Sequence, residues 1–264
     1  MCMLIYHPRD AEPFARSEFA DFHRRNPNGF GVAWIGAADG ELRYTKGLET
    51  LDAQWERYQE LRETSTGNIV LHWRLRTSGP VTPGACHPFV ANETTLVFHN
   101  GVLSWRNTAE LSDTQCFIAD HLEPRLRKRS NGKVTKKLHK SLVAKIGSGN
   151  KLVLWTAGEK RPRIVGEYRG LWHRGRWMSN TYAWTMPREL TAARVTTARR
   201  LYSSLDMDES EYNDDGSVRW DDEEWVNGMG WLPLLPIKRT PAQEAYAQRR
   251  AELRKKGEEV MSNW

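Results

Sequence analysis

The chain is predicted to fold as α+β, and three observations carry that expectation. Short apolar runs of strand length crowd the first hundred residues. Stretches with helical spacing dominate the middle, from Asp113 to Ile146, and strand-like runs return after Leu152. Strands that arrive in groups, rather than alternating one by one with helices, do not form a βαβ repeat.

Met3-Leu4-Ile5-Tyr6 suits a buried strand and places Cys2 at its start. Phe14, Phe19 and Phe22, with polar residues between them, predict an amphipathic helix over 14–24. Asn26-Pro27-Asn28-Gly29 is turn chemistry leading into a strand at 30–34. Asp39-Gly40 joins that strand to Leu42-Arg43-Tyr44 as a hairpin. Leu51, Trp55, Tyr58 and Leu61 keep helical spacing, and strands follow at 68–73 and 94–98. After Asp113 a helix carrying Phe117, Ile118 and Leu122 is expected to stop near Pro124. A basic helix at 134–146 precedes strands at 152–155, 164–168 and 177–184.

From residue 186 onward the character changes. Asp206 to Glu224 is acidic and poor in aliphatics, and reads as a loop or disorder; residues 241–259 read as a polar helix. Two units are therefore expected: a domain over 2–185 and a C-terminal extension over 186–264. The extension is too short and too polar for a second catalytic domain.

With 264 residues, 39% of them hydrophobic, the chain can bury a core without disulfide or metal staples. No apolar run approaches the ~20 residues that span a bilayer, and the N-terminus lacks the pattern of a signal peptide, so a cytoplasmic protein with no membrane partner is expected. Three cysteines without CxxC spacing exclude a zinc knuckle or a disulfide framework. Eight histidines without ligand-like spacing point to no metal and no cofactor. Residues 125–200 hold twenty Lys/Arg against three acids, and residues 206–224 hold ten acids against one Arg. The basic block offers a surface to nucleic acid or an acidic substrate; the alternative is a solvated face complemented by the chain's own acidic segment.

Chemistry enters at the second residue. Removal of Met1 would leave Cys2 with a thiol nucleophile and an α-amine of pKa about 7.7–8.0 to serve as its base. Downstream stand His72-Trp73-Arg74-Leu75-Arg76-Thr77-Ser78-Gly79, Ala85-Cys86-His87-Pro88, Phe98-His99-Asn100-Gly101 and Ser112-Asp113-Thr114. Together with Cys2, in this order, these segments resemble the class II glutamine amidotransferase domain, an N-terminal-nucleophile (Ntn) hydrolase. The resemblance covers roughly residues 2–185, and Ser179-Asn180-Thr181-Tyr182 looks like a late strand motif of the short, stand-alone members found in phages and bacteria.

The resemblance implies a four-layer αββα sandwich with two antiparallel sheets. It implies that Cys2 attacks the glutamine γ-carboxamide to form a thioester and release ammonia. Asn100, through its side-chain amide, and Gly101, through its backbone N–H, would form the oxyanion hole. Read alone, Asn100-Gly101 is equally a turn dipeptide. Arg74 would pair with the substrate α-carboxylate through two parallel hydrogen bonds, with Arg76 as a rival two residues along the same strand face. Asp113 would hold the α-ammonium; the other role open to it is helix capping beside Ser112. Thr77, Ser78 and Gly79 fall in a loop that often reads Thr-His-Gly in the family, so Ser78 departs from the pattern. His87 is expected to shape the wall beside Cys2. The Ser179–Tyr182 motif and the buried Cys116 are assigned to structure, and Cys86 is given no chemistry. An acceptor-activating synthase acting in trans is implied. Hydrolysis of a γ-glutamyl or other amide without ammonia transfer is the alternative reaction.

Overall fold

The computed structural model describes residues 1–77, 80–108, 111–127 and 134–184. Ser78 and Gly79, and the expectations for residues 186–264, lie outside the described residues.

Among the described residues, ten strands form two antiparallel sheets. In chain order they are β1 (Met3–His7), β2 (Phe30–Gly36), β3 (Leu42–Gly47), β4 (Ser65–Trp73), β5 (Phe89–Val90), β6 (Thr95–Asn100), β7 (Lys151–Thr156), β8 (Arg163–Val165), β9 (Leu171–His173) and β10 (Arg176–Met178). The first sheet runs β3-β2-β4-β1-β10-β9, and the second runs β5-β6-β7-β8. Thus β1 lies in the interior of the larger sheet, between β4 and β10.

Helices α1 (Arg16–Arg25) and α2 (Leu51–Thr64) cover one sheet. The other is covered by α3 (Asp113–Phe117), a π-turn (Ile118–Leu122), α4 (Glu123–Arg127) and α5 (Lys136–Ile146). Residue alternation along the strands builds the layers. Met3, Ile5, Ile69, Leu71 and Trp73 join Phe19, Phe22, Tyr58 and Leu61 in one core. Leu4, Tyr6 and Val70 instead meet Leu96, Phe98, Val153 and Trp155 in a second core. Val97, Leu152 and Leu154 turn away to meet Phe117, Leu122, Leu138 and Leu142 in a third. Odd and even residues of β1 thus serve different cores, as a period of two demands. The result is the αββα order of layers.

Local chemistry fixes the helix starts. The Thr50 hydroxyl accepts from the Ala53 N–H at 3.3 Å, and the Thr135 hydroxyl from the Leu138 N–H at 3.3 Å. Ser112 and Gln115 cap α3 reciprocally: the Ser112 hydroxyl accepts from the Gln115 N–H, and the Gln115 amide oxygen accepts from the Ser112 N–H.

Some boundaries differ from expectation. The helix after Asp113 does not stop near Pro124; it runs through a π-turn and continues to Arg127. Pro124 is the second residue of α4, directly after that widened turn. There its missing N–H and its ring conflict least with the preceding turn. The strand expected at 164–168 ends at Val165, because Gly166 adopts a left-handed conformation (φ 78°). The strand expected over 177–184 ends at Met178 and pairs with β9, a three-residue strand too short to show a period in the sequence. Among the described residues no helix is long and apolar enough to cross a membrane.

Candidate active site

Strand pairing places Cys2. The register of β1 on β4 matches Met3 with Trp73 and Leu4 with His72, so the chain before Met3 meets the residues just after Trp73. The Cys2 sulfur accepts from the Leu75 N–H at 3.4 Å and lies 3.5 Å from the Leu75 carbonyl oxygen. Burial pushes the thiol pKa up; the Leu75 backbone, the positive N-terminus and the nearby Arg74 guanidinium oppose that rise. Met1, 40% exposed, stands clear of the core, so its removal costs the fold little.

The Cys2 carbonyl is held from two directions. The Asn100 amide donates to it at 2.6 Å, and the Asn180 amide donates to it at 2.7 Å. Asn100 is the last residue of β6, in the opposite sheet, and is fully buried. Ser179 follows β10 and ties both sheets together. Its hydroxyl accepts from the Leu4 N–H at 3.0 Å and from the Asn100 amide, and its N–H donates to the Leu4 carbonyl at 2.8 Å. The seam between the sheets thus closes at Cys2.

Gly101 follows with φ 138°, a conformation that side chains rarely adopt. A Cβ there would lie 2.1 Å from the Asn150 amide oxygen, so both conformation and space demand glycine. That oxygen is 2.9 Å from His99 Nε2, and the Asn150 amide donates to the Ile146 carbonyl at 2.6 Å.

Arg74 and Arg76 part company. β4 ends at Trp73, so neither belongs to the strand and the shared strand face expected for them does not exist. Arg74 is 6% exposed. Its N–H donates to the Gly29 carbonyl at 2.8 Å, its carbonyl accepts from the Asn28 N–H at 3.0 Å, and its Nη1 donates to the Pro80 carbonyl at 2.8 Å. Arg76 is exposed, with its N–H on the Asn28 side chain at 2.9 Å. Thr77 is exposed on the bend that follows.

Ser112 does the capping of α3, and Asp113 fastens the preceding loop. The Asp113 carboxylate accepts from the Leu103 N–H at 2.7 Å and from the Thr114 N–H at 2.7 Å. Leu103 is two residues past Gly101, so Asp113 reaches the Asn100-Gly101 turn through that short loop. An ionised carboxylate offers about four acceptor positions, so capacity for a substrate ammonium remains.

His87 precedes a cis peptide bond to Pro88. Its ring packs 4.3 Å from that of His72 and 4.4 Å from that of Phe89, and neither ring nitrogen has a hydrogen-bond partner among the described residues. Burial holds its pKa well below the ordinary value. Lys46 braces the same loop by donating to the Cys86 carbonyl at 2.7 Å and the Pro88 carbonyl at 2.9 Å, and burial lowers its pKa to about 8. His72, His87 and His99 form one file of rings, yet no group of three or more His, Cys, Asp or Glu among the described residues is placed to hold a metal.

Neither the known protein families nor the curated proteins provide a sequence match. Among solved structures, the chain resembles the glutamine phosphoribosylpyrophosphate amidotransferase of B. subtilis, with a TM-score of 0.44 and 15% identity over 69% of this chain and 42% of that one. It also resembles a glutamine aminotransferase class-II domain protein from Silicibacter pomeroyi, with a TM-score of 0.31 and 16% identity over 60% of this chain and 73% of that one. The similarity is to class II glutamine amidotransferase domains, and it concerns the course of the chain alone. This chain spans less than half the length of the B. subtilis protein.

Several residues at this site were not singled out for chemistry by sequence reasoning. Asn28, Asn150 and Lys46 carry no motif, and only the fold brings them here. Ser179 and Asn180 did carry a signal, a polar pair ending the last apolar strand, but were assigned to structure.

Proposed function

We propose that this chain hydrolyses the side-chain amide of glutamine through Cys2, after removal of Met1. The observation that carries the reading is the convergence at the start of β1. There a thiol beside Arg74 has its own carbonyl held by Asn100, and Asn100 is followed by a glycine in a conformation that turns the chain sharply.

In this reading the freed α-amine takes the thiol proton, and the thiolate attacks the amide carbon. The Asn100 amide and the Gly101 N–H receive the developing oxyanion. The C–N bond then breaks, ammonia leaves with the proton, and a γ-glutamyl thioester remains on Cys2. Water cleaves the thioester to glutamate and restores the thiol. Arg74 receives the substrate carboxylate and Asp113 its ammonium, with Thr77 along the edge; His87 holds the wall. The released ammonia passes to an acceptor activated by a separate synthase.

A second reaction is open to the same site: hydrolysis of a γ-glutamyl amide without ammonia transfer. Its glutamyl part carries the same free α-ammonium and α-carboxylate as glutamine, so Asp113, with acceptor positions left beside the Leu103 and Thr114 N–H groups, and Arg74 would receive it in the same way.

The test is ammonia release from glutamine by the purified full chain. Glutamate and ammonia are expected in equal amounts, with loss on the order of 10³-fold or more in Cys2→Ser. Absence of release by chain whose mass lacks Met1 contradicts glutamine as substrate, and release from a γ-glutamyl amide alone supports the second reaction.

A further inference from the structure

Two asparagine amides converge on one carbonyl, and they are not held alike. Asn180 is anchored at both ends: its amide oxygen accepts from the Tyr182 N–H at 3.0 Å while its nitrogen donates to the Cys2 carbonyl. Asn100 is anchored at one end only. Its nitrogen donates to the Cys2 carbonyl and to the Ser179 hydroxyl, while its amide oxygen is buried with no partner among the described residues.

An amide nitrogen has two hydrogens, and both of those on Asn100 are occupied here. If Asn100 is to donate to an oxyanion at Cys2, one of these bonds must be given up. A buried carbonyl left without a donor costs about 1–3 kcal/mol, which would be charged against the transition state. That cost disappears if a second, fixed donor already holds the carbonyl.

We infer that Asn180 is a positioning residue that keeps the Cys2 carbonyl satisfied, so that the Asn100 amide can turn to the oxyanion when a tetrahedral intermediate forms on Cys2. The Ser179 hydroxyl is the resting partner from which the other Asn100 hydrogen need not move. The unpartnered Asn100 oxygen gives the side chain freedom to turn, and the Tyr182 bond denies that freedom to Asn180. The inference rests on the acyl-transfer role proposed for Cys2, though not on glutamine as its substrate.

The experiment compares two reactions of Cys2 in the full chain. Acylation by p-nitrophenyl acetate forms an S–acyl bond, breaks the ester C–O bond, expels p-nitrophenolate and builds an oxyanion on the way. Alkylation by iodoacetamide displaces iodide and builds none. Peptide mass assigns both modifications to Cys2, since Cys86 and Cys116 are buried. Asn180→Ala is expected to slow acylation at least about 10-fold while iodoacetamide alkylation stays within about twofold. Asn180→Asp keeps the acceptor used by Tyr182 but replaces the donor with a carboxylate oxygen and adds charge near the thiol, so its acylation rate is read relative to its own alkylation rate; that ratio should fall even if the alanine variant folds poorly. In an Asn100→Ala background, Asn180→Ala should add little further loss of acylation. Unchanged acylation overturns the inference. So does an equal fall in both reactions, which is what a merely structural Asn180 would give, and so do fully additive losses in the double variant. Glutamine turnover plays no part in this readout, so a wrong substrate and a wrong role for Asn180 give different results.

Discussion

Cys2 owes its place to strand pairing, whereas Arg74 and Asp113 owe theirs to loops. Cys2 sits one residue before an interior strand that has ladder partners on both sides, and its carbonyl is pinned by side chains from β6 and from just past β10. Arg74 lies one residue beyond its strand, held by the carbonyls of Gly29 and Pro80, and Asp113 holds a loop through Leu103. Strand register tolerates no slip without turning every side chain to the wrong core, so the first arrangement is rigid. Loop contacts can shift singly. Under the proposed function, chemistry is thus built on the sheet seam, and recognition on elements free to vary with the substrate.

The comparison predicts effects of different kind and size at the two ends. The largest belongs to Asn100→Ala. Loss of a preorganised donor should lower kcat on the order of 10²–10³-fold with little change in KM. Because Asn100 also joins the sheets at Cys2 and Ser179, the thermal midpoint should fall too. A lowered midpoint with kcat per folded molecule intact would assign Asn100 to the turn alone.

Gly101→Ala should cost about 1–3 kcal/mol of stability, from its φ of 138° and from the Asn150 oxygen in the way. Denaturant unfolding measures it, and a neutral result would mean that the turn after β6 yields as loops do. At the recognition end the fold should survive and binding should suffer. Arg74→Lys keeps the charge but loses the paired geometry, and should raise KM about 10-fold with kcat nearly kept. Asp113→Asn should raise KM for glutamine similarly, and wild-type KM in both variants would count against free glutamine as the substrate and favour hydrolysis of another amide.

A further effect touches neither end of the comparison and is spread over pH. Burial holds His7 at a pKa of about 4 and His72 at about 3, below the ordinary 6.5. Below pH 6.5 the unfolded chain takes up protons that the native state refuses. Stability should therefore be full above 6.5 and fall with pH by about 1.4 kcal/mol per unit for each histidine, until about 4 for His7 and about 3 for His72. Urea midpoints across pH 3–7 test this; replacing His72 by Gln should flatten the lower part of the profile.

What could be read from the sequence divides along the same line. The α+β class was visible because β1, β4, β6 and β7 are short apolar runs grouped around a helical middle, whereas the four layers came only from the family resemblance. Of the helix caps, Ser112 was read beside Asp113, whereas Thr50 and Thr135 were not singled out, and α5 starts after Thr135 rather than at Val134. Harder to see were β5 and β9, which have two and three residues and so no measurable period, and the π-turn that lets Pro124 sit inside a helix. At the site, Cys2, Asn100 and Gly101 stand out in the sequence by their motifs, and the fold brings the Asn100 amide to the Cys2 carbonyl. The role of Asn180 was not, since its partner is a backbone carbonyl 178 residues away and a carbonyl leaves no mark in a sequence. The difference between Arg74 and Arg76 appeared only when β4 was seen to end at Trp73.

The most direct test of Cys2 as an N-terminal nucleophile is the mass of the mature N-terminal peptide after exposure to a glutamine analogue carrying an electrophilic diazoketone in place of the amide. The peptide is expected to begin at Cys2 and to gain the mass of the analogue less dinitrogen, with the adduct on the thiol and with free glutamine slowing its formation. Full glutamine turnover by chain that still carries Met1, or an adduct that forms on another residue, would contradict the account.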